Sequence, residues 1–452
     1  MQQTGPDIAY RGFRGAARLA TGTMTGAVPR GDGIAFDSPA GTLTHTDPHT
    51  GVTAAYELAT WTSPLVEPGF PVAELVPSWT ADTPAGSWIR VEMRGADRSG
   101  RPTRWYDLGS WAADDEGVRP TSRPDQADPD ARVDADVLTA ASGREWTGWW
   151  LRVTLLRPAG GDATPALRSA GAVATAPAPA APRPHGPAPH GATPPAAPHR
   201  PAPHGSSAPH PAAAAAPAPA APHPEAAAPA PPAPARPAAP PRRSGTSPAW
   251  GVVLDVPRFS QRLHRDHHPH LDGGGLTWCS PTSTAMVLAF WGAGPAAADH
   301  AWVGPDDPAP WVDHAARRCY DHAYRGTGNW PFNTAYAGTF GLDAFVTRLR
   351  GLAEAELFVA AGIPLVISVS FAAGRVPGLD YGTRGHLLVL AGFTAGGDPV
   401  LNDPNWPTDE AVRRPVPRAA LEAAWRGGSG GLTYVIRPAD RPLPAAPPQA
   451  NW

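Results

Sequence analysis

Cys279 is the side chain in this sequence whose setting best suits a chemical role. It stands in LTWCSPTST, just ahead of a helix that SPTSTAMVLAFWG (280–292) predicts, with Pro281 suited to the first turn. A thiol attacks a carbonyl as the thiolate, and the unpaired N–H groups and the dipole of a helix start favour negative charge. An inert, buried cysteine fits the same position equally well. The cysteine alone therefore leaves both interpretations open.

His386 and the residues that follow the next strand favour the catalytic interpretation. His386 opens the apolar strand in GTRGHLLVLAGF, and the next strand ends in LNDPNW, which supplies Asn402 and Asp403. A hairpin places the end of one strand near the start of its neighbour, so either side chain could orient the imidazole. Cysteine, histidine and then Asp or Asn, on helix, strand and strand, is the papain-type arrangement. A core histidine without a chemical role is the alternative.

A dense group of metal-ligating residue types lies shortly before Cys279: His264, His267, His268 and His270, with Asp266 and Asp272. A metal ion needs three or four such ligands fixed on rigid elements, whereas these lie in a loop that ends in glycines. We therefore predict no metal site. The loop 264–270 is interpreted as solvated or as modulating substrate entry.

Cys319, in HAARRCYDHAY, is predicted to lie on a helix. A disulfide to Cys279 would abolish the nucleophile and would need Cα atoms within about 7 Å of each other. No helix start or glycine opens the surroundings of Cys319. We therefore predict neither a disulfide nor a second nucleophile.

Aromatic residues raise two further questions. The N-terminal half is rich in tryptophan, which fits sugar stacking but fits the packing of two facing sheets better. In GNWPFNTAY, the side chains of Trp330, Phe332 and Asn333 are predicted to lie on a loop. Lining a substrate groove and filling the edge of a core are equally compatible with that segment.

The 452 residues are too many for one ordinary domain, and their composition changes along the chain. We assign residues 1–172 to an all-β, sandwich-like domain, because short strands rich in aromatic and β-branched residues alternate with turns. Residues 173–247 are rich in Pro and Ala and are predicted to be a disordered linker. Residues 248–440 read as an α+β domain in which helices precede a mostly antiparallel sheet. Residues 441–452 are predicted to be a flexible tail.

Charge, cysteine count and hydropathy exclude several classes of protein. A net charge of −3 at pH 7 gives no indication of a nucleic-acid partner. Two cysteines exclude a disulfide-stapled scaffold, and no apolar run reaches the about 18 residues of a membrane span. The start, MQQTGPDIAYRGFRG, lacks the features of a signal peptide. On that basis the protein stays inside the cell, or the given start omits an export segment.

Several segments resemble the C39-like cysteine peptidases of the papain-like superfamily, in their actinobacterial form. In the C-terminal part these are DVPRFSQ (255–261), WCSPTSTAMVLAFWG (278–292), GTGNWPFNTAYAGTFGLDAFVTRL (326–349), GHLLVLAGF (385–393) and NDP (402–404). ATWTSP (59–64) and PSWTADTPAGSW (77–88) resemble the N-terminal β domain of the same proteins. The resemblance covers nearly the whole chain apart from the linker, and it implies a papain-like fold for the C-terminal domain.

By this resemblance Cys279 is the nucleophile, His386 the general base and later acid, and Asp403 the carboxylate that orients the imidazole. Gln261 would donate to the oxyanion beside the backbone N–H of Cys279, a contribution of roughly 2.7–4 kcal/mol to the barrier. The sequence departs from the family pattern at two places. Ser280 stands where the family usually has glycine, and the inserted LHRDHHPHLDGGGLT separates Gln261 from the cysteine.

The function implied by the resemblance is a cysteine hydrolase that cleaves a peptide or related amide bond through an acyl-enzyme, with no cofactor. Its partner would be a peptide or protein substrate, with association with the cell wall as an option. The resemblance also implies a secreted, extracellular protein, whereas the oligomeric state is not indicated. Two other interpretations stay open. One is a catalytically silent binding or scaffold protein of the same fold, and the other is an amidase or acyltransferase acting on cell-wall material.

Overall fold

The structure, a computed structural model, describes residues 7–115, 117–177 and 247–452. These ranges form a sandwich-like β region followed by an α+β region, which confirms the predicted multidomain fold class. The predicted Pro/Ala-rich linker falls largely on residues 178–246, outside the described residues. Residues 173–175, which the sequence analysis assigns to that linker, belong to the last strand of the β region.

Two antiparallel sheets make up the N-terminal region. In its described residues the strands are β1 (Ile8–Arg14), β2 (Thr23–Thr25), β3 (Ala27–Arg30), β4 (Gly33–Phe36), β5 (Gly41–Thr46), β6 (Thr53–Thr62), β7 (Glu74–Asp82), β8 (Trp88–Ala96), β9 (Tyr106–Trp111), β10 (Ala131–Asp134), β11 (Val137–Ala140), β12 (Gly148–Pro158) and β13 (Ala166–Thr175). One sheet has the order β10-β11-β7-β13-β4-β3 with β1 beside β13, and the other has the order β2-β6-β12-β8-β9 with β5 beside β6. A short helix that the sequence analysis did not predict, α1 (Gly15–Leu19), follows β1.

Tryptophan side chains fill much of the interior of this region. Those that are at most 2% exposed are Trp61, Trp79, Trp88, Trp111, Trp146 and Trp149. Trp105 and Trp150 are partly exposed, and the guanidinium of Arg94 lies 4.4 Å and 4.6 Å from their ring centroids. Most of the tryptophan side chains in this region therefore pack in the interior and are not exposed to solvent.

One antiparallel sheet with helices on both faces forms the C-terminal region. In its described residues the helices are α2 (Cys279–Trp291), α3 (Pro310–Arg318), α4 (Trp330–Gly338), α5 (Leu352–Ala360) and α6 (Arg418–Ser429), and the strands are β14 (Asp343–Arg348), β15 (Leu365–Phe371), β16 (Thr383–Phe393), β17 (Pro399–Asn402), β18 (Arg413–Pro415) and β19 (Leu432–Arg437). Short 3₁₀ turns occur at Gln261–His264, Gly275–Thr277 and Asp409–Ala411. The sheet order is β14-β19-β15-β16-β17-β18.

Strand β16 is buried on both sides. Its residues Leu387 and Val389 join the core beneath α2, α3 and α4, whereas Leu388 and Leu390 join the core beneath α5 and α6. Alternate side chains of a strand point to opposite faces, so a strand covered on both faces needs an uninterrupted apolar run. None of the helices in the described residues is long and apolar enough to cross a membrane.

Helix α4 joins the two regions into a common core. Phe332 is fully buried among the residues of the β-sandwich, and its ring lies edge-on to Trp79 with centroids 6.1 Å apart. The prediction of a loop at Trp330 is therefore wrong, and the segment fills a core. The side chain of Asn329 caps the helix by accepting a hydrogen bond from the backbone N–H of Phe332 at 3.1 Å.

The end of the chain, from residue 441, is expected from sequence to be a flexible tail, yet its last two residues are packed. Asn451 is fully buried and donates to the carbonyl of Arg348 and to the carboxylate of Glu354, both at 2.8 Å. The ring of Trp452 lies 5.0 Å from that of Phe358 on α5. Buried hydrogen bonds and an aromatic contact thus hold the C-terminus on the domain.

Candidate active site

Cys279 is the first residue of α2 and lies beside β16. The N-cap residue, Trp278, makes no side-chain capping hydrogen bond, so no cap occupies the backbone N–H groups of Cys279 and Ser280 at this end of the helix. The preceding Trp278 is fully buried and donates its indole N–H to the carbonyl of Leu271 at 2.8 Å, which fixes the chain just before the cysteine. Cys279 itself is 7% exposed.

Backbone and side-chain contacts hold this end of α2 against β16. The backbone N–H of Leu387 donates to Sγ of Cys279 at 3.4 Å. One turn along the helix, the hydroxyl of Ser283 donates to the carbonyl of Leu387 at 3.1 Å. The sulfur is therefore fixed next to the residue that follows His386.

His386 and Asp403 are in direct contact across neighbouring strands. His386 lies on β16 and Asp403 directly follows β17, and Nε2 of the imidazole is 2.7 Å from Oδ1 of the carboxylate. Burial alone would lower the pKa of His386, but the charge of Asp403 and the interactions with Cys279 outweigh it and raise that pKa to about 10. The imidazolium is therefore the stable form at neutral pH.

Hydrogen-bond donors surround the carboxylate of Asp403. Its Oδ2 accepts from the hydroxyl of Tyr381 at 2.8 Å and from the indole N–H of Trp406 at 3.0 Å, and its Oδ1 also accepts from the backbone N–H of Asn405 at 3.0 Å. Burial would raise the pKa of Asp403, but His386 and these hydrogen bonds lower it. The carboxylate stays ionised and holds one ring nitrogen of the imidazole. Sequence reasoning missed Tyr381 and Trp406, for which the only signal is that Trp406 follows Asp403 by three residues.

Asn402, the other side chain considered for orienting the imidazole, points elsewhere. Its Nδ2 donates to the carbonyls of Val256 and Pro257 at 3.2 Å and 3.0 Å, and its Oδ1 accepts from Nε of Arg413 at 2.9 Å. Asn402 thus ties β17 to the segment that leads to Gln261. Asp403 is the residue in contact with His386.

Gln261 returns to this site despite the insertion that separates it from Cys279. The insertion closes on itself, because Gly275 approaches the Gln261 carbonyl so closely that a Cβ at Gly275 would clash with it. The backbone N–H of Gln261 donates to the carbonyl of Pro404, directly after Asp403, and its Nε2 donates to the carbonyl of Leu276. One of the two N–H groups on Nε2 of Gln261 is therefore bound to Leu276, three residues before Cys279. The other N–H group is the candidate donor to an oxyanion.

Ser280, at the position where the family usually has glycine, is accommodated inside the domain. It is fully buried, and its hydroxyl lies 3.0 Å from the hydroxyl of Tyr434 on β19. Because this side chain points into the core, it does not stand beside the sulfur as an obstacle to a substrate.

The histidine-rich insertion is folded rather than extended into solvent. Its His264 and His267 lie against Asp307 and Asp313, and these four side chains form a group whose ligand atoms lie within 4.8 Å of one another. Asp313 lies 46 to 49 residues after the two histidines in the chain, so the sequence gives no signal that connects them. Cys319 directly follows α3 as its C-cap, is completely buried and forms no disulfide, and burial raises the pKa of its thiol.

Two sequence families match the chain, one for each region. Residues 9–175 match the Peptidase C39 N-terminal domain, and residues 253–431 match the Peptidase_C39 like family. The chain belongs to the C39-like peptidases. Membership of this family confirms the resemblance seen in the sequence and supports a function of the cysteine-peptidase type.

Solved structures add little to this C39-like assignment. One similar structure comes from work on the promiscuous specificity of carbohydrate-binding modules from the β-sandwich superfamily. It is 10% identical in sequence, the match covers 38% of this chain and 56% of that chain, and the TM-score is 0.15. Another is a structure of infectious bursal disease virus Gx strain. It is 12% identical in sequence, the match covers 39% of this chain and 60% of that chain, and the TM-score is 0.08. The chain thus spans less than two thirds of either structure, and such TM-scores carry no argument. No curated protein matches the chain.

Proposed function

We propose that this C39-like peptidase is a cysteine hydrolase that cleaves a peptide or related amide bond, with Cys279 as nucleophile and His386 as acid and base. The observation that carries the proposal is that His386 interacts with Cys279 on one side and with the ionised Asp403 on the other. A buried imidazole that carries a charge needs such negative partners, whereas a core histidine without a chemical role does not need them.

The proposed reaction begins from the thiolate–imidazolium pair. The sulfur of Cys279 attacks the carbonyl carbon, and His386 gives its proton to the leaving amine as the C–N bond breaks, which leaves a thioester. The same imidazole then takes a proton from water, whose oxygen attacks the thioester. Expulsion of the thiolate releases the acid product and restores the starting pair.

Asp403 keeps the imidazole in the orientation that both steps need. Its bond to Nε2 leaves Nδ1 for the sulfur and for the leaving amine. The oxyanion would be bound by the backbone N–H of Cys279 together with the second Nε2–H of Gln261. Each such donor is worth roughly 2.7–4 kcal/mol of barrier.

A substrate screen with matched inactive protein tests the proposal. The full chain and a Cys279→Ala variant are each incubated with a peptide mixture from digested proteins, and in parallel with peptidoglycan fragments, and products are identified by mass spectrometry. New peptide termini that appear with the wild type alone are the expected result. Cleavage of cell-wall amides alone would make the protein an amidase. Turnover of neither substrate, together with slow alkylation of Cys279, would contradict the proposal and indicate a silent binding protein.

A further inference from the structure

Four side chains outside the catalytic group converge on one point of the C-terminal region. His264 and His267 come from the insertion, Asp307 from the segment before α3, and Asp313 from the first turn of α3. Nδ1 of His264 is 2.7 Å from Oδ2 of Asp313. Nδ1 of His267 is 3.0 Å from Oδ1 of Asp313 and 3.1 Å from Oδ2 of Asp307.

Within this cluster, one buried carboxylate oxygen accepts no hydrogen bond from the described residues. Each imidazole nitrogen carries at most one proton, and the hydrogen bonds of both are directed to Asp313. Oδ2 of Asp307, on a side chain 3% exposed, accepts no hydrogen bond from the described residues, although it lies 3.1 Å and 3.7 Å from the two Nδ1 atoms. A buried carboxylate oxygen that accepts no hydrogen bond is costly, so a cation at this point would stabilise the cluster.

We propose that His264, His267, Asp307 and Asp313 bind a divalent transition-metal ion, with Zn²⁺ the best fit. Imidazole nitrogen together with carboxylate oxygen suits Zn²⁺, whereas Mg²⁺ and Ca²⁺ prefer oxygen ligands alone. Tetrahedral ligands about 2 Å from one Zn²⁺ lie about 3.3 Å apart. The nitrogen–oxygen distances in the cluster run from 2.7 Å to 3.7 Å, on both sides of that value.

The burial of the four ligands indicates a structural ion rather than a catalytic one. The side chains of His264 and Asp313 are 0% exposed and that of Asp307 is 3% exposed, while His267 is 34% exposed and gives the ion a route of entry. Four protein ligands leave no position for substrate or water, which is typical of structural zinc.

Such an ion would fasten the insertion to α3. His264 ends the 3₁₀ turn that begins with Gln261, and Asp313 lies on a helix, so two of the ligands are on regular elements. The reason for predicting no metal from sequence, a loop without rigid ligand positions, does not hold for this fold. The proposal concerns how the insertion is held, and it does not depend on the hydrolysis proposed above.

Metal titration of the full chain tests the site directly. The protein is stripped with a chelator and titrated with Zn²⁺ in a calorimeter, with Mg²⁺ in a parallel run. We expect about one Zn²⁺ per chain with a dissociation constant below about 10 µM, no binding of Mg²⁺ at that level, and a higher melting temperature with Zn²⁺ than without. Bound Co²⁺ should show the visible absorption of a four-coordinate site.

Three variants separate this site from adventitious binding. His267→Ala and Asp307→Asn should each weaken the Zn²⁺ affinity by at least about tenfold, whereas His270→Ala, an exposed histidine of the same insertion, should not. Asp307→Asn keeps the shape of the side chain. It therefore still tests the site if circular dichroism shows that His267→Ala does not fold. The proposal is overturned if the folded, stripped wild type binds no Zn²⁺ at this level, or if His270→Ala weakens binding as much as the other two.

Discussion

At the scale of single residues, Asp403 controls the charge of the imidazole beside Cys279. The pKa of His386 is about 10 because its interactions with Asp403 and Cys279 outweigh the effect of burial. The raised pKa means that the imidazolium persists from acid through neutral pH and is lost only as the pH rises through about 10. Since the proposed reaction needs the imidazolium as the acid for the leaving amine, activity should fall on that alkaline side.

Asp403→Asn should move this alkaline fall toward neutral pH. The variant removes the carboxylate charge. Burial, which lowers the pKa of His386, is then opposed by Cys279 alone. We expect kcat/KM at pH 8 to drop by about 10²-fold or more. The pH profile of kcat/KM measures both effects, with Asp380→Asn, an exposed neighbour of Tyr381, as the control. An unchanged alkaline limb in Asp403→Asn would show that Asp403 does not set the charge of His386.

At the scale of elements, the insertion before α2 must fold tightly for Gln261 to return to the site. Gly275→Ala would place a methyl group against the Gln261 carbonyl. Overpacking of this kind costs about 1–3 kcal/mol in the free energy of unfolding, and it should also slow turnover because Gln261 is displaced. Gly304→Ala is the matched control, since a Cβ at Gly304 meets no atom within 4 Å. Denaturant unfolding and kcat measure the two effects, and equal results for both variants would rule out this role of Gly275.

The elements that carry the candidate site could be predicted because their signals are local. The apolar run after His386 predicts a strand, and Pro281 marks the first turn of α2. Helix α4 was missed, since its start depends on the side chain of Asn329 and its burial on Trp79 in the other region. Contacts between distant parts of the chain, such as His264 with Asp313, leave no periodic pattern in a sequence.

At the scale of the whole molecule, the sandwich and the C39-like region are expected to unfold together, because α4 places its side chains in the core of the sandwich. Phe332→Ala would leave a cavity in that shared core and should lower the free energy of unfolding by about 3–5 kcal/mol. Leu357→Ala, on the exposed face of α5, should change it by less than about 0.5 kcal/mol. Denaturant titration followed by tryptophan fluorescence and circular dichroism tests this. A loss confined to one of two separate transitions would contradict the shared core.

The junction of the two regions also contains a buried carboxyl group that links stability to pH. Burial raises the pKa of Asp136 to about 7, although its carboxylate accepts a hydrogen bond from the backbone N–H of Trp330 at 2.8 Å. Its stabilising contribution is therefore fully present below about pH 4 and is lost as the pH rises to about 7. Asp136→Asn should remove this decline, and Asp162→Asn, an exposed control, should keep it. Parallel stability curves for the wild type and Asp136→Asn between pH 4 and pH 8 would refute the linkage.

The activated pair of Cys279 and His386 is the central claim, and alkylation by iodoacetamide as a function of pH tests it most directly. With mass spectrometry to identify the modified residue, the wild type should be labelled rapidly at Cys279 at pH 6 to 7, because the imidazolium stabilises the thiolate. In His386→Ala, labelling should become slow and rise only near the value of about 8.5 that is ordinary for a thiol, while Cys319 stays unlabelled in the folded protein. Equally slow labelling of Cys279 in both proteins, rising only near that pH, would contradict the account.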